Sequence, residues 1–407
     1  MMHHYLLTTV SNHSHDQRCH QGCRHRKRNL WCSLCFDTSQ EWIISHHFRI
    51  WKRPRGSNVS KKVFFLAAHE IYPLGSTVIY YCYLRREIAD DGRELLFDHG
   101  APYFTATNPE VLNIVQEWES RGLVAPWNEK FASFDCDSKK FLNIEQEGLG
   151  QKYVGIPGMN SICRALSCES GVQSMFGVGV GKLEWLDYEE LWSLSGLDGQ
   201  DLGQFKGVVA SDKSTFSSRF TNVTRKPPPI DLSMVPDIAL KIKEIPVISC
   251  FALMLAFEQP LSLIPVKGFS FKNSNILSWA FCDSSKPGRS TACERWVLHS
   301  SLEYAEGIIA QTGLQKPSSE TLMKVAEELF REFQRTGICL SQPFFKKAHR
   351  WGSAFPATSL APEEKCLWSA KNRLAICGDF CVSPNVEGAI SSGIAAASKF
   401  SEMLSSL

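Results

Sequence analysis

The chain has 407 residues and a formal net charge of +2, and 43% of its residues are hydrophobic. This length suits two or three domains, and the composition is that of an ordinary soluble globular protein. The near-neutral charge excludes a strongly basic nucleic-acid binder, and the longest uncharged stretch near the N-terminus, Ile71–Leu84, is shorter than the ~20 residues of a spanning helix. We therefore expect a small-molecule partner, with no nucleic acid and no membrane, and the sequence leaves the oligomeric state open.

Residues 1–84 differ from the rest of the chain. The first 62 residues hold 11 Lys+Arg against 3 Asp+Glu, and eight of the twelve histidines lie in the first 47. The favoured interpretation is a basic, Cys/His-rich, partly disordered tail or a translated alternative exon, and we predict no metal. A zinc-bearing nucleic-acid module is the rival hypothesis, because Cys and His are the usual zinc ligands; its candidates are Cys19, His20, Cys23, His25, Cys32 and Cys35.

The fifteen cysteines indicate a reducing compartment. Their number is odd, and Cys163, Cys250, Cys282 and Cys377 lie among apolar neighbours. Such cysteines are typical of buried free thiols. The acid-poor N-terminus is also compatible with a transit peptide, so the expected location is the chloroplast or the cytoplasm.

The first half of the chain predicts a mixture of strands and helices. Val63–Ala67 and Ser76–Leu84 read as strands, separated by too few residues for a parallel crossover helix. Asn108, Pro109 and Gly122 are start and stop signals of a helix, and a second helix begins near Asn160. A hairpin or meander then follows in residues 172–197, and a buried strand at Phe205–Ala210.

The second half begins after a proline-rich connector, Thr224–Ser233, which is a plausible domain boundary. "ISCFALMLAF" predicts a strand buried on both faces, and "ILSWAFC" and "ERWVLHSS" predict two more. Ser318–Thr336 predicts a long helix that Gly337 ends. Its apolar stripe is Leu322, Val325, Ala326, Leu329, Phe330 and Phe333.

The C-terminal stretch "RLAICGDFCVSPNVEGAISSGIAAA" predicts a strand, then Gly378-Asp379, then a helix that opens near Gly388. A carboxylate at the carboxyl edge of a sheet can accept hydrogen bonds from sugar or ribityl hydroxyls. A helix N-terminus attracts phosphate or an electron-rich ring edge. An ordinary strand–helix closure of an α/β domain is the alternative interpretation.

Three other stretches carry candidate chemistry. Asp98-His99-Gly100 suggests close approach of the backbone to a flat group, with a structural turn as the alternative. "AHRWGSAFP" concentrates a proton carrier, an anion clamp and a stacking wall in His349, Arg350 and Trp351, with a surface strand as the alternative. Asp283–Arg289, "DSSKPGR", reads as a solvated turn.

Together these segments resemble the renalase-like FAD-dependent oxidoreductases, in their plant form, a branch of the flavin amine-oxidase superfamily. The resemblance runs from about Arg85 to the C-terminus through "DGRELLFDHGAPYFTATNPEV", "KYVGIPGMNSICRAL", "FALMLAFEQPL", "LSWAFCDSSKPGR", "ERWVLHSS", "KAHRWGSAFP" and "LAICGDFCVSPNVEGAISSGIAAA". It implies an α/β fold: an incomplete glutathione-reductase-like Rossmann FAD domain with a mixed-sheet substrate domain, and an irregular N-terminal extension. The FAD domain would comprise residues 85–105, 152–215 and 365–407, and the substrate domain residues 106–151 and 216–364.

The resemblance also implies roles for individual residues. His349 and Trp351 would wall the substrate side and are the catalytic candidates. FAD would be held by Arg86, Gly100, Ala101, Tyr103, Val180, Gly378, Asp379, Val386, Glu387, Gly388 and Ala389. The implied reaction transfers hydride from a small reduced substrate, nicotinamide-type rather than amine, to the flavin, with O₂ as a possible acceptor.

One departure from the family pattern leaves two hypotheses open. The family begins with a GxGxxG loop that cradles the pyrophosphate, and the first 84 residues contain none. The chain is thus either an FAD-dependent oxidoreductase or a flavin-free form that acts, if at all, through protein contacts. Without that segment we also expect the sheet to lack a central strand pair and to expose an edge.

Overall fold

The structure, a computed structural model, describes four N-terminal strands by their backbone and then residues 86–405, with gaps at 145–149, 170–171, 176–177 and 243–246. The fold is α/β with several mixed sheets, as the sequence predicts. The N-terminal strands are Tyr5–Val10, Leu30–Thr38, Gln40–Phe48 and Val63–Ala68.

The described part of residues 1–84 is more regular than expected. Val63–Ala68 confirms the predicted strand, whereas Ser76–Leu84 lies outside the described residues. Leu30–Thr38 and Gln40–Phe48 pair as an antiparallel hairpin that the sequence did not predict. Both are rich in aromatic and β-branched residues, which favour extended backbone, but neither shows a sustained apolar period.

A six-stranded sheet, called here the mixed sheet, carries the predicted C-terminal strand. Gly207–Ala210 runs parallel to Val63–Ala68 on one side and to Leu374–Ile376 on the other. The exposed edge expected at this position is therefore not observed, because Val63–Ala68 pairs there. The order of the six strands is Val172–Met175, Tyr5–Val10, Val63–Ala68, Gly207–Ala210, Leu374–Ile376 and Leu367–Ser369.

A seven-stranded sheet, called the large sheet, dominates the second half. Its long strand Val247–Phe257 alternates Phe251, Leu253 and Leu255 on one face with smaller apolar residues on the other, and both faces are buried. This confirms the prediction for "ISCFALMLAF". The strand order is Lys140–Leu142, Phe131–Asp135, Gly268–Lys272, Leu277–Cys282, Glu294–Ser300, Val247–Phe257 and Phe345–Pro356.

Three smaller sheets complete the strands. The hairpin predicted within residues 172–197 is confirmed for Val180–Leu186 and Leu191–Gly196, and Asp201–Phe205 adds a third antiparallel strand, whereas Val172–Met175 lies in the mixed sheet. The strand predicted at Phe205–Ala210 is divided, since Phe205 ends the meander and the mixed-sheet strand begins at Gly207. The bounds are Val180–Leu186, Leu191–Gly196 and Asp201–Phe205 for the meander; Phe104–Thr105, Lys152–Gly155 and Val124–Pro126 for the second sheet; and Arg86–Ile88 and Glu94–Leu96 for a hairpin.

The predicted helices are confirmed with their caps. Asn108 Oδ1 accepts from Glu110 N at 2.9 Å at the start of Pro109–Ser120, and Ser318 caps Ser319–Arg335. No helix among the described residues is long and apolar enough to cross a membrane. The other α-helices are Asn160–Ser167, Ser218–Thr224, Pro236–Ala239, Leu302–Thr312, Asp379–Val382 and Val386–Ser405, and the 3₁₀ turns are Lys213–Phe216, Leu232–Met234 and Asp283–Ser285.

One hydrophobic cluster joins the two sheets. It contains Val209 of the mixed sheet, Phe281 of the large sheet and Ala389 of the helix Val386–Ser405, called here the C-terminal helix. Ala101 and Tyr103 pack against the same cluster. The segments that the sequence singled out therefore meet at the junction of the mixed sheet, the large sheet and the C-terminal helix.

Candidate functional site

Two aspartates lie at the carboxyl edge of the mixed sheet. Asp212 follows Gly207–Ala210, Asp379 follows Leu374–Ile376, and the strands are adjacent and parallel. Both aspartates are buried, and Asp379 has no exposed surface. Ligands of open α/β sheets bind at this edge. The sequence analysis identified Asp379 but missed Asp212, whose only signal was its position directly after a strand.

Asp212 is held by its own turn. Its Oδ1 accepts a hydrogen bond from Ser214 N at 2.8 Å, and its Oδ2 accepts one from Ser214 Oγ at 2.5 Å. The ring of Phe216, in the same turn, contacts Phe380 with centroids 6.2 Å apart. The turns after the two strands are thus packed together.

Backbone conformation and packing within the protein require glycine at position 378. Its φ of +152° lies where side chains are rarely tolerated, and a Cβ would overlap the Phe380 ring. Its N–H donates to Ser392 Oγ of the C-terminal helix at 2.9 Å. The Gly-Asp turn is therefore fixed to the helix that follows it.

The first turn of the C-terminal helix is closed by protein groups. Asn385 Oδ1 accepts from Gly388 N at 2.7 Å, and Asn385 O accepts from Ala389 N at 3.2 Å. A Cβ on Gly388 would overlap Ser383. Val386 is half-buried against the hydrophobic cluster. These contacts satisfy the N–H groups of Gly388 and Ala389, two of the four residues at the helix start that were predicted to hold a cofactor.

Glu387 joins the C-terminal helix to the helix Pro109–Ser120. Its Oε1 accepts from Thr107 N at 2.7 Å and from Asn108 N at 2.5 Å, and Thr107 Oγ1 donates to its Oε2 at 3.1 Å. Its predicted role in cofactor binding stays a prediction. In the structure its carboxylate links two elements.

Four rings form a cluster, which we call the imidazole–indole cluster: His99, His299, His349 and Trp351. The centroid of His99 lies 4.9 Å from that of Trp351, in a stacked arrangement, and 4.9 Å from that of His349. The centroids of His349 and Trp351 are 4.4 Å apart. The structure thus brings together the predicted pair His349 and Trp351 and adds His99, which directly precedes the predicted Gly100.

Two ring nitrogens lie within hydrogen-bond distance of the carbonyl oxygen of His99. Trp351 Nε1 donates to His99 O at 3.2 Å, and His299 Nε2 lies 3.1 Å from the same oxygen. Burial lowers the pKa of His299 to about 4, with the His99 carbonyl opposing the shift and Lys286 adding to it. His299 is therefore neutral at physiological pH, and its Nε2–H tautomer donates to His99 O.

The segment Asp283–Arg289 is not a solvated turn, and that prediction was wrong. Asp283, Lys286 and Arg289 are buried and form an ion cluster with Asp98. Lys286 Nζ lies 3.0 Å from Asp98 Oδ2 and 2.7 Å from Asp283 Oδ1. Charged turns are usually solvated, but paired charges can be buried. The partner, Asp98, is remote in sequence.

The buried charges shift one another's pKa values. Burial by itself raises the pKa of Asp283, but the charges of Lys286 and Arg289 outweigh it and hold that pKa below its usual range. Burial by itself lowers the pKa of Arg289, and the carboxylates of Asp98 and Asp283 outweigh it, so the pKa of Arg289 is raised. The charged forms are therefore the stable ones.

Tyr103 belongs to an aromatic group beside this ion cluster. Its ring centroid lies 5.4 Å from Phe131 and 5.9 Å from Trp127 and Phe281. Phe281 in turn contacts the ring of His299 at 5.7 Å. Tyr103 is half-buried. The predicted Gly100, Ala101 and Tyr103 segment therefore runs from the imidazole–indole cluster to a partly exposed aromatic wall.

The remaining predicted residues lie on other strands or outside the described residues. Val180 is buried and pairs with Gly196 in the meander, and Arg86 begins a hairpin strand opposite Leu96. Cys32 and Cys35 lie on the strand Leu30–Thr38, whereas the other zinc candidates fall outside the described residues. The described part of the chain shows no group of three or more potential metal ligands.

All four cysteines predicted as buried free thiols are free and buried.

No protein-family model matches the chain. Among solved structures, an oxidoreductase from Methanosarcina mazei is similar at 11% identity with a TM-score of 0.40, over 62% of this chain and 56% of that structure. A putrescine oxidase variant, from a redesign of cofactor binding, is similar at 10% identity with a TM-score of 0.38, over 64% and 56%.

A protein from Pyrococcus furiosus is similar at 11% identity with a TM-score of 0.37, over 61% of this chain and 54% of that structure. The chain thus spans little more than half the length of each of these structures.

Proposed function

We propose that the chain is an FAD-dependent oxidoreductase of the renalase-like kind, which takes hydride from a small reduced substrate of nicotinamide type. The observation that carries the proposal is the convergence of Asp379, Tyr103 and the imidazole–indole cluster on one junction of two sheets. These are the segments on which the sequence resemblance rests. The proposal also includes an amine as the second choice of substrate and O₂ as the electron acceptor.

The residues present fit one end of a flavin dinucleotide. Asp379 at the carboxyl edge offers acceptors for ribityl hydroxyls, and the half-buried Tyr103 offers an aromatic wall for a flat ring. His99, His349 and Trp351 would face a substrate on the other side of that ring. FAD, when bound, supplies the hydride acceptor, and the chain's own residues bind and orient the reactants.

The lack of a loop for the pyrophosphate end of FAD favours a second candidate, a flavin-free protein without this activity. The first 84 residues contain no GxGxxG loop, and the start of the C-terminal helix is already capped by Asn385. A dinucleotide bound without a phosphate cradle loses the donors that hold its most charged part. A flavin-free chain would act, if at all, through protein contacts.

The visible absorbance spectrum of the purified chain, after incubation with FAD and desalting, separates the two candidates. The enzyme proposal predicts retained flavin bands that bleach when a reduced nicotinamide is added without oxygen. Asp379→Asn is expected to lose the bands, because its side chain cannot offer two acceptor oxygens. Asp187→Asn, an exposed position in the meander, is the matched control and is expected to keep them.

Either result is decisive. A folded, monodisperse and colourless protein would reject the enzyme proposal and leave the flavin-free candidate. Retained flavin that no reduced nicotinamide bleaches would keep the cofactor and reject the substrate class, and small amines would then be tested in the same assay.

A further inference from the structure

We propose that Asp98 is a positioning residue: with Asp283, Lys286 and Arg289 it fixes the backbone turn that holds the His99 ring against His349 and Trp351. The ion cluster acts on the rings through the backbone turn that carries His99. The effect on catalysis rests on the proposed function, whereas the effect on the position of His99 does not.

The backbone N–H and both carboxylate oxygens of Asp98 form hydrogen bonds. Its N–H donates to Asp283 Oδ1 at 3.2 Å, and its Oδ1 accepts from Met159 N at 3.0 Å. Its Oδ2 accepts from Lys286 Nζ at 3.0 Å and also from Arg289 Nη2. Two remote segments of the chain, around Met159 and at Asp283–Arg289, therefore converge on this one residue.

The next residue, His99, is held from the opposite side. Its carbonyl accepts the Trp351 indole N–H, and His299 Nε2 reaches the same oxygen. The turn is thus fixed between the ion cluster before His99 and two strands of the large sheet after it. A shift of Asp98 would be transmitted to His99 through a single peptide unit.

The ion cluster is better explained by its fixing one conformation of the turn than by a gain in stability. The side chains of Asp283, Lys286 and Arg289 are each 1% exposed, and that of Asp98 is 7% exposed. Removing paired charges from water costs about as much as their attraction returns, and often more. Two acids and two bases with fixed directions nevertheless admit few arrangements, which suits a turn that has to hold one position.

Nuclear magnetic resonance of histidine rings tests the positioning directly. The chain is labelled at its histidines, and His99→Gln assigns the His99 signal. Asp98→Asn is expected to shift or broaden the His99 signal at constant pH. Asp91→Asn is the matched control, because Asp91 also forms an ion pair, with Arg93, but its side chain is 47% exposed. This variant is expected to leave the His99 signal unchanged.

A charge-balanced variant keeps the test informative if Asp98→Asn does not fold. Asp98→Asn combined with Lys286→Gln removes one charge of each sign and leaves the Asp283–Arg289 pair. It is expected to fold, with the His99 signal again displaced. An unchanged His99 signal in a folded variant would overturn the proposal, as would failure of both variants to fold, since the cluster would then be required for folding rather than for placement.

Kinetics supply the second readout. In the flavin-loaded chain, the folded Asp98 variant is expected to reduce kcat at least tenfold with KM changed less than threefold, because small displacements of a positioned group lower the rate steeply. Asp91→Asn is expected to leave both constants unchanged. A tenfold rise in KM with an unchanged kcat would overturn the catalytic part of the proposal. If the unaltered chain binds no flavin, the proposed function fails, and the resonance experiment still decides whether Asp98 positions His99.

Discussion

Gly207 shows how closely one residue can be specified by its neighbours. It begins the central strand of the mixed sheet, and a Cβ at this position would overlap the Phe400 ring of the C-terminal helix and lie 3.1 Å from Arg373 O. Gly207→Ala is therefore expected to lower the free energy of unfolding by about 1–3 kcal/mol, the usual range for overpacking. Denaturant unfolding measures it.

The control for this substitution is Gly307→Ala. Gly307 lies in the helix Leu302–Thr312, and no atom comes within 4 Å of an added Cβ. Alanine has the higher helix propensity, so this variant should gain about 0.5–1 kcal/mol. Equal effects of the two substitutions would show that contact with the Phe400 ring does not decide the first.

His299 makes stability depend on pH in a defined window. Its pKa in the folded chain is about 4, below the ~6.5 of an unfolded histidine. Between these values the unfolded state binds the proton and the folded state does not, so stability falls as the pH falls from about 6.5 towards 4. Above this window His299 has no effect.

His299→Gln removes this titration and keeps an N–H donor for His99 O. Between pH 7 and pH 5 the unaltered chain is expected to lose about 2 kcal/mol more of its free energy of unfolding than the variant. Urea unfolding at the two pH values measures the difference. Parallel losses in both proteins would mean that His299 titrates normally in the folded state.

The ion cluster marks the limit of reading single residues from the sequence. Asp283–Arg289 resembles a solvated turn because it combines charges with proline and glycine, and its local pattern contains nothing else. The residue that buries it, Asp98, is 185 positions away from Asp283. Sequence-local reasoning cannot pair charges across such a distance, whereas His349 and Trp351 were found because they are close together in the chain.

At the scale of elements, local signals predicted the helices well. Asn108 and Ser318 cap the helices that they were expected to begin, and the apolar residues of Ser319–Arg335 that were predicted to face inward are buried or half-buried. The short strands were harder. Phe205–Ala210 was predicted as one strand, and only the pairing with two different sheets divides it.

Glu387 yields a prediction about how two elements are joined. Its carboxylate accepts hydrogen bonds from the backbone N–H groups of Thr107 and Asn108 at the start of Pro109–Ser120. Charge-assisted bonds of this kind contribute about 1.5–3 kcal/mol each at most. Glu387→Ala is therefore expected to lower the melting temperature by several degrees and to cost about 2 kcal/mol.

Glu402→Ala is the control on the same helix. Glu402 is exposed and lies 3.7 Å from Lys399, so its removal should change stability by less than about 0.5 kcal/mol. Calorimetry compares the two variants. If Glu387→Ala is as harmless as the control, the carboxylate is not a structural link, and its predicted role towards a cofactor regains support.

At the scale of the whole molecule, the architecture follows from which segments need a neighbour. The strand Gly207–Ala210, which is parallel to Leu374–Ile376, requires a partner on its other side, and Val63–Ala68 provides it. The sequence predicted that strand but not its place, because pairing between remote strands leaves no local signal. The site at the junction of the sheets could be predicted only as separate segments for the same reason.

The thiols report how completely this architecture is packed. Of the ten cysteines between residues 86 and 405, Cys168 is exposed, Cys136 is half-buried and the other eight are buried. Burial also raises the pKa of Cys250 to about 12 and that of Cys366 to about 11. Because the thiolate is the reactive form, both access and ionisation oppose labelling in the folded chain.

Alkylation of the native protein, followed by peptide mass spectrometry, is therefore expected to modify Cys168 first among these ten. Cys250 and Cys366 should be labelled at least a hundredfold more slowly, at the rate at which the chain opens. Adding denaturant should make all ten react at similar rates. Labelling of Cys250 as fast as Cys168 under native conditions would contradict the packing of the large sheet, since Cys250 lies on its buried strand Val247–Phe257.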